Sequence, residues 1–297
     1  MKKLLLTALS VVFLVSCKDE AKQVAKAEEK TTGEKELYKE LYGNWVGDFK
    51  AEEHARGEDY VYSNKINIVI KKIVGNKVIG QNIVAGNNRP LSGEVKVVAL
   101  NEFQFELKEP GDDKKDGIFT FTIKNDTLSG EWTANNKKAS VTKRAYKLTK
   151  QQFKYDPNLM LPSEDEYGQR YMDSYSMKLD SIEYEAEDGA KEVEYNEMYR
   201  TASDVVTTLN SSTTVLKESD LKNLKKLELE ILRNTIFARH GYTFKKKTYR
   251  QFFDPVDWYV PVSDDVTKEL TVIEKQNIKL LQRFEKYAED NYDTFGR

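Results

Sequence analysis

From residue 44 to residue 148 the chain repeats one pattern: a short run in which apolar and polar residues alternate, a few turn-forming residues, then another run. Alternation is clearest at Ile66, Ile68 and Ile70, at Val95 and Val97, at Phe103, Phe105 and Leu107, and at Phe119, Phe121 and Ile123. This period of two marks strands with one buried face. Eight such runs lie near 44–50, 60–71, 77–84, 91–99, 102–108, 117–124, 127–133 and 139–148. Between them, Gly75-Asn76, Gly86-Asn87-Asn88, Asn125-Asp126 and Asn135-Asn136 tolerate the positive φ of tight turns. Eight short antiparallel strands predict a closed up-and-down β-barrel. At that strand number the interior is either filled by side chains or holds one small ligand.

Further along, the period changes. From about Asp220 the residues are good helix formers, and Leu229, Leu232, Arg233, Ile236, Phe237 and His240 fall on one helical face. Gly241 sits where a helix closes through a left-handed residue, which places Tyr242 against Phe237 in a Schellman arrangement. Thr271-Val272-Ile273-Glu274 has capping-box spacing and opens a closing helix with Ile273, Asn277, Leu280, Leu281, Phe284, Tyr287 and Ala288 on one face. Two helices must pack to bury both stripes, with Phe252, Phe253, Trp258 and Tyr259 as the aromatic core of a small domain. Glu36 to Tyr42 reads as a short helical lead-in, and 201–214 as polar and β-prone. The fold class is therefore α+β multidomain: an N-terminal eight-stranded antiparallel barrel and a small C-terminal helical domain.

The stretch Ile231 to Phe244, ILRNTIFARHGYTF, resembles the YARHG domain, with Phe237-Ala238-Arg239-His240-Gly241 as its core and Phe in place of the Tyr. The resemblance runs from about Leu216 to Tyr287 and includes Leu232-Arg233-Asn234 and Trp258-Tyr259-Val260-Pro261. It implies an extracytoplasmic module without an agreed molecular activity, and Phe237 weakens any mechanism that needs a phenol. Arg-His-Gly has two readings. It is either a helix C-cap, with Arg239 set against the negative end of the helix dipole, or part of a docking site built on Arg233, Asn234, Arg239, His240, Gly241, Tyr242, Trp258 and Tyr259. In the barrel, Gly43-Asn44-Trp45 is similar to the opening of lipocalin-like folds, which implies Arg144 as a cation covering Trp45.

Charge and the N-terminus place the protein. Two lysines and an eleven-residue apolar run from Leu4 to Leu14 form a secretory signal too short to span a bilayer. Leu14-Val15-Ser16-Cys17 is similar to the lipobox of bacterial lipoproteins, which makes Cys17, the only cysteine, the acylation point, carrying palmitate-type chains as the membrane anchor. Lys18-Asp19-Glu20 resembles a surface-export tag of Bacteroidota. The expected address is the outer membrane, facing the periplasm or the cell surface. From Asp156 to Arg200 there are thirteen acidic against four basic residues, and from Lys217 to Arg250 ten basic against four acidic. These opposite segments suggest that the acidic one lies along the basic one. The formal net charge of −2 together with export argues against nucleic acid.

The resulting organisation is a signal peptide (1–16), a lipidated tether (17–36), a barrel (37–150), an acidic Tyr-rich connector (151–215), the YARHG-like helical domain (216–290) and a tail (291–297). With two histidines, His54 and His240, and no thiol beyond Cys17, His-rich metal sites and Cys-His catalysis have no raw material. No nucleophile elbow or phosphate loop is present. The expectation is a monomeric, cofactor-free, non-enzymatic binding lipoprotein that recognises peptidoglycan or another envelope glycan. A small apolar ligand in the barrel and a passive partner-docking scaffold are the alternatives.

Overall fold

The chain is described by a computed structural model over residues 35–163, 171–187 and 189–292. The signal peptide, Cys17, most of the tether and all but the first two residues of the tail lie outside the described residues. Eight strands, β1 (Gly43–His54), β2 (Ser63–Val74), β3 (Lys77–Val84), β4 (Asn87–Ala99), β5 (Glu102–Lys108), β6 (Gly117–Lys124), β7 (Thr127–Ala134) and β8 (Val141–Gln151), pair antiparallel in sequence order and close β1 onto β8. Closure leaves the barrel no free edge. Phe49 lies opposite Tyr146 across the seam, and the alternation of the sequence becomes the inside and outside of the wall.

Side chains fill the interior. Trp45, Ile66, Ile68, Ile70, Phe105, Phe119 and Leu148 are essentially inaccessible, with Phe105 and Phe121 stacked at 4.7 Å and Phe49 and Phe119 at 6.1 Å. One end is plugged by the expected lead-in, a single 3-10 turn over Lys39–Leu41. There Trp45 Nε1 donates to the Leu41 carbonyl at 3.0 Å, and Tyr38 meets Phe103 edge-on at 4.9 Å. The opposite end carries polar residues at inward-facing positions.

Two stretches differ from the sequence reading. The acidic connector contains a β-hairpin, β9 (Met172–Glu185) with β10 (Lys191–Thr201). Its register switches little of its surface inward, so it lacks the buried face that makes a strand legible. Its foot meets the helical region: Arg200, held within the hairpin by Asp173 at 2.6 Å, reaches Glu230 at 3.2 Å, Lys247 lies 5.6 Å over the Tyr175 ring, and Gln251 Nε2 donates to Asp173. Residues further out, such as Leu179, Ile182 and Tyr195, are exposed. The second difference is 201–214, which folds not as a strand but as a helical turn, α1 (Val205–Thr208), and further turns. Hydroxyls of Thr207 and Thr208 bond back to the Asp204 carbonyl, a local alternative to strand pairing.

The rest is helical: α2 (Glu218–Leu221), α3 (Lys226–Arg239), α4 (Lys247–Phe253) and α5 (Val272–Asn291). The helix expected from about Asp220 is broken, so that α3 begins at Lys226, where Glu228 reaches back to the Lys225 N–H at 2.6 Å. α3 is buried almost all round, including Glu228, Asn234, Thr235 and Arg239, so the expected single apolar face is only part of its contact surface. The C-terminal region also covers the outside of β1 and β2. Lys65 and Asn67 occupy outward-facing positions yet are buried, because the Lys65 ammonium donates to the Val256 carbonyl and Asn67 Nδ2 to the Pro261 carbonyl at 2.8 Å. Asp254 accepts from the Lys65 N–H, and burial pushes its carboxyl up to about 6.

Candidate functional site

The C-terminus of α3 closes as the sequence predicts. Gly241 has φ +72°, its N–H bonds the Ala238 carbonyl at 2.9 Å, and the Tyr242 N–H bonds the Phe237 carbonyl at 3.0 Å. This is the Schellman pair, with the Phe237 and Tyr242 rings 5.8 Å apart. Glycine is required twice over here. Beyond the positive φ, a Cβ would sit 2.5 Å from Val262 and 2.9 Å from the Phe153 ring.

Phe153 belongs to the segment leaving the barrel, and that segment is what the Arg-His-Gly motif holds. Arg239, 1% exposed, donates from Nε to the Leu159 carbonyl at 2.7 Å, from Nη1 to Ser212 Oγ at 2.9 Å, and from Nη2 to Met160 Sδ at 3.2 Å. Burial pulls its pKa down to about 10, opposed by the charge of Glu274. His240 Nε2 lies 2.8 Å from Glu274 Oε2, and its ring stacks on Tyr155 at 4.2 Å. The Tyr155 hydroxyl donates to the other oxygen of Glu274. The same carboxylate completes the predicted capping box of α5, accepting from Thr271 N–H at 2.9 Å while Glu274 N–H bonds Thr271 Oγ1. Burial works to raise the Glu274 pKa, but the hydrogen bonds from His240 and Thr271 prevail and bring it down to about 2.

The remaining candidates have internal partners too. Arg233 grips Glu285 with both arms, at 2.5 and 3.1 Å, tying α3 to α5. Asn234 donates to the Glu230 carbonyl. Trp258 Nε1 holds the Met160 carbonyl at 2.9 Å, and the Tyr259 hydroxyl bonds the Tyr242 carbonyl at 2.6 Å. The motif residues therefore do come together, as an internal latch around residues 153–160. Arg233, Arg239, His240 and Trp258 each have at least one side-chain nitrogen bonded within the protein.

The expected Trp45–Arg144 pair does not form. Register places Lys150 opposite Trp45 and Arg144 opposite Ala51 and Trp132. Lys150 lies 5.8 Å over the Trp45 ring, whereas Arg144 covers Phe49 at 5.2 Å and donates to the Phe49, Val61 and Tyr62 carbonyls.

Two surfaces that sequence reasoning did not single out have the character of sites. One is a groove of about 790 Å³ between α2 and α5, lined by Lys222, Arg283, Phe284, Tyr287 and Tyr292. The other is a hollow of about 410 Å³ at the unplugged barrel mouth. The signal for the second was present in the alternation itself. Asn64 keeps step with Ile66 and Ile68, Asn82 with Val78, and Arg144 with Tyr146 and Leu148, so each is a polar residue at a core position, which foldability alone disfavours.

Among the described residues no group of three or more His, Cys, Asp and Glu side chains is arranged to hold a metal ion. None of their helices is long and apolar enough to cross a membrane. No curated protein matches the chain, nor does any solved structure. One family model does match, and it begins earlier than the sequence resemblance, taking in α1 and the turns after it: behind its eight-stranded barrel, the chain carries a YARHG domain at residues 204–286.

Proposed function

We propose that the protein is a lipid-anchored envelope protein that acts by binding rather than turnover, and that its YARHG domain recognises an envelope component, peptidoglycan or another surface glycan. The anchoring rests on the signal-like leader and Cys17. The absence of turnover rests on how the two histidines are held, His240 against Glu274 in the interior and His54 stacked at the surface on Tyr60.

The observation that carries the glycan reading is the groove between α2 and α5. Tyr287 is half exposed and meets Phe284 and Tyr292 edge-on at 6.2 and 5.8 Å. The Arg283 guanidinium lies 5.5 Å over Phe284 and pairs with Glu218 at the groove's rim, which leaves Lys222 as the cation without an ion pair in the lining among the described residues. An exposed ring flanked by partly exposed ones, with a lysine beside it, is what an extended, partly apolar chain such as a glycan needs. Recognition is thereby moved from Arg239 and His240, which face inward, to the outer surface of the same domain.

The test is co-sedimentation of the soluble chain, starting at residue 18, with purified peptidoglycan sacculi at low and moderate salt. The expected result is binding that survives moderate salt and falls about tenfold in Tyr287→Ala. Equal sedimentation of both forms, or no sedimentation, overturns the reading.

A further inference from the structure

We propose that the unplugged mouth of the barrel, beneath α4, binds a small hydroxylated organic anion, a sugar acid in the first instance. Its ligand chemistry does not depend on what the groove between α2 and α5 holds.

The hollow is built from both parts of the molecule. Its floor is aromatic, formed by Phe49, Phe119 and Trp132, and Lys247 and Arg250 of α4 contribute to its lining from the other side. Its volume falls within the range of small-molecule sites, which are largely apolar with a few convergent polar groups.

The convergent groups are unusual in being unsatisfied. Five buried side-chain atoms among the described residues have no hydrogen-bond partner, and three of them, Asn64 Oδ1, Asn82 Oδ1 and Arg250 Nε, belong to residues lining this hollow. Asn82 is fully buried, while Asn64 and Arg250 are 7% and 8% exposed. An orphaned buried polar atom keeps its full desolvation cost with no bond to offset it. A fold that gathers three around one space is organised for a partner that supplies what they lack.

Charge specifies that partner. Four acidic groups line the hollow; among the described residues Asp113, at its exposed rim, accepts only from the Lys115 N–H, and the other three are engaged by cations or side-chain donors. Asp116 takes two bonds from Arg89, and Asp112 takes another from the same guanidinium. Glu109 accepts from Asn82, the Gly117 N–H and Trp132, and burial raises its pKa. Asp59 is paired with Lys247.

The two remaining guanidiniums have no such partner. Arg144 spends three donors on backbone carbonyls out of the five a guanidinium offers. Neither it nor Arg250 forms an ion pair among the described residues, although Arg250 lies within the field of Asp254. Burial draws the Arg144 pKa down to about 10, and the neighbouring Arg250 charge adds to the effect. Two guanidiniums lining one hollow without an ion-paired carboxylate select an anion, with the planar fork favouring a carboxylate. The two Asn oxygens accept hydrogen bonds from hydroxyls, and the ring floor takes the apolar face of a sugar ring. A neutral apolar ligand would leave the two Asn oxygens and Arg250 Nε unpaired, and a divalent cation would meet two like charges.

The test uses the soluble chain from residue 18, titrated with glucuronate, glucose and inorganic phosphate. Calorimetry is the readout, together with tryptophan fluorescence, since Trp132 lies in the floor. Glucuronate should bind saturably, with glucose and phosphate each at least tenfold weaker. Arg250→Gln and Asn64→Asp should each weaken glucuronate at least tenfold while thermal unfolding stays cooperative. A glycan ending in glucuronate that competes as well as the free acid identifies chain ends as the natural source, and one that fails identifies the free acid; both outcomes support the site. Glucuronate binding no better than glucose, phosphate binding as well as glucuronate, or two folded variants that bind like the unaltered chain would each overturn it.

Discussion

The end of α3 and the mouth of the barrel both bury arginines beside aromatic rings, and they do so to opposite ends. At the latch, no motif side-chain atom is buried without a partner among the described residues: Arg239 bonds Leu159, Ser212 and Met160, Trp258 bonds Met160, and His240 and Tyr155 bond Glu274. At the mouth, Asn64, Asn82 and Arg250 each leave an atom without a partner. A buried polar network that is fully satisfied rigidifies and specifies one arrangement, whereas a partly satisfied one is a cost unless something else completes it. The comparison assigns structure to the conspicuous motif and function to a scattered set of residues.

The largest effect that could break this assignment is at Arg239. Replacing it with Ala leaves the Leu159 carbonyl and Ser212 without their donor and opens a cavity at a site 1% exposed. The expected loss is about 3–4 kcal/mol in urea denaturation, with new proteolytic cleavage between residues 153 and 163 as the segment detaches from α3. A folded Arg239→Ala protein of unchanged stability that no longer sediments with sacculi would reverse the assignment and make the motif a recognition site.

The sequence yields the barrel and conceals much of the site, for one physical reason. Period-two alternation reports burial on one side, so strands with a filled interior are legible at Ile66, Ile68 and Ile70, whereas the hairpin β9–β10, exposed along most of its length, carries no such mark. The Schellman close at Gly241 and the capping box at Thr271 are local in sequence and were legible for that reason. What Arg239 and His240 touch is set eighty or more residues earlier in the chain, by Leu159 and Tyr155, and no spacing rule reaches that far. Likewise Trp45 finds Lys150 rather than Arg144 because strand register, not residue type, decides which cation lies above the ring.

A smaller effect separates the latch from its surroundings by pH. Glu274 has its pKa brought down to about 2 from an ordinary 4.5. A carboxyl depressed in the folded state contributes stability that is full above its unfolded pKa and is lost as pH falls through the folded one. The window is therefore between pH 4.5 and 2. From pH 6 to pH 3 the unaltered protein should lose about 2 kcal/mol more than Glu274→Gln, measured as the difference between their denaturation free energies. Parallel curves would mean that the carboxylate is not held by His240 and Thr271 as described.

The smallest expected effect is the most discriminating. Arg250 is nearly as buried as Arg239, so a simple burial argument predicts comparable damage from removing either charge. Its Nε has no acceptor, however, and its guanidinium sits near that of Arg144, which its charge disfavours. Arg250→Gln removes that repulsion and part of an unsatisfied donor set, against the loss of its attraction for Asp254, while keeping much of the side-chain volume. It should change unfolding free energy by no more than about 0.5 kcal/mol, in either direction. A near-neutral Arg250→Gln beside a severe Arg239→Ala would show that burial has been spent on two different ends. An Arg250→Gln loss of about 2 kcal/mol or more would mean that Arg250 already has the partner the hollow is proposed to await, and the mouth of the barrel would then be as much a structural joint as the latch.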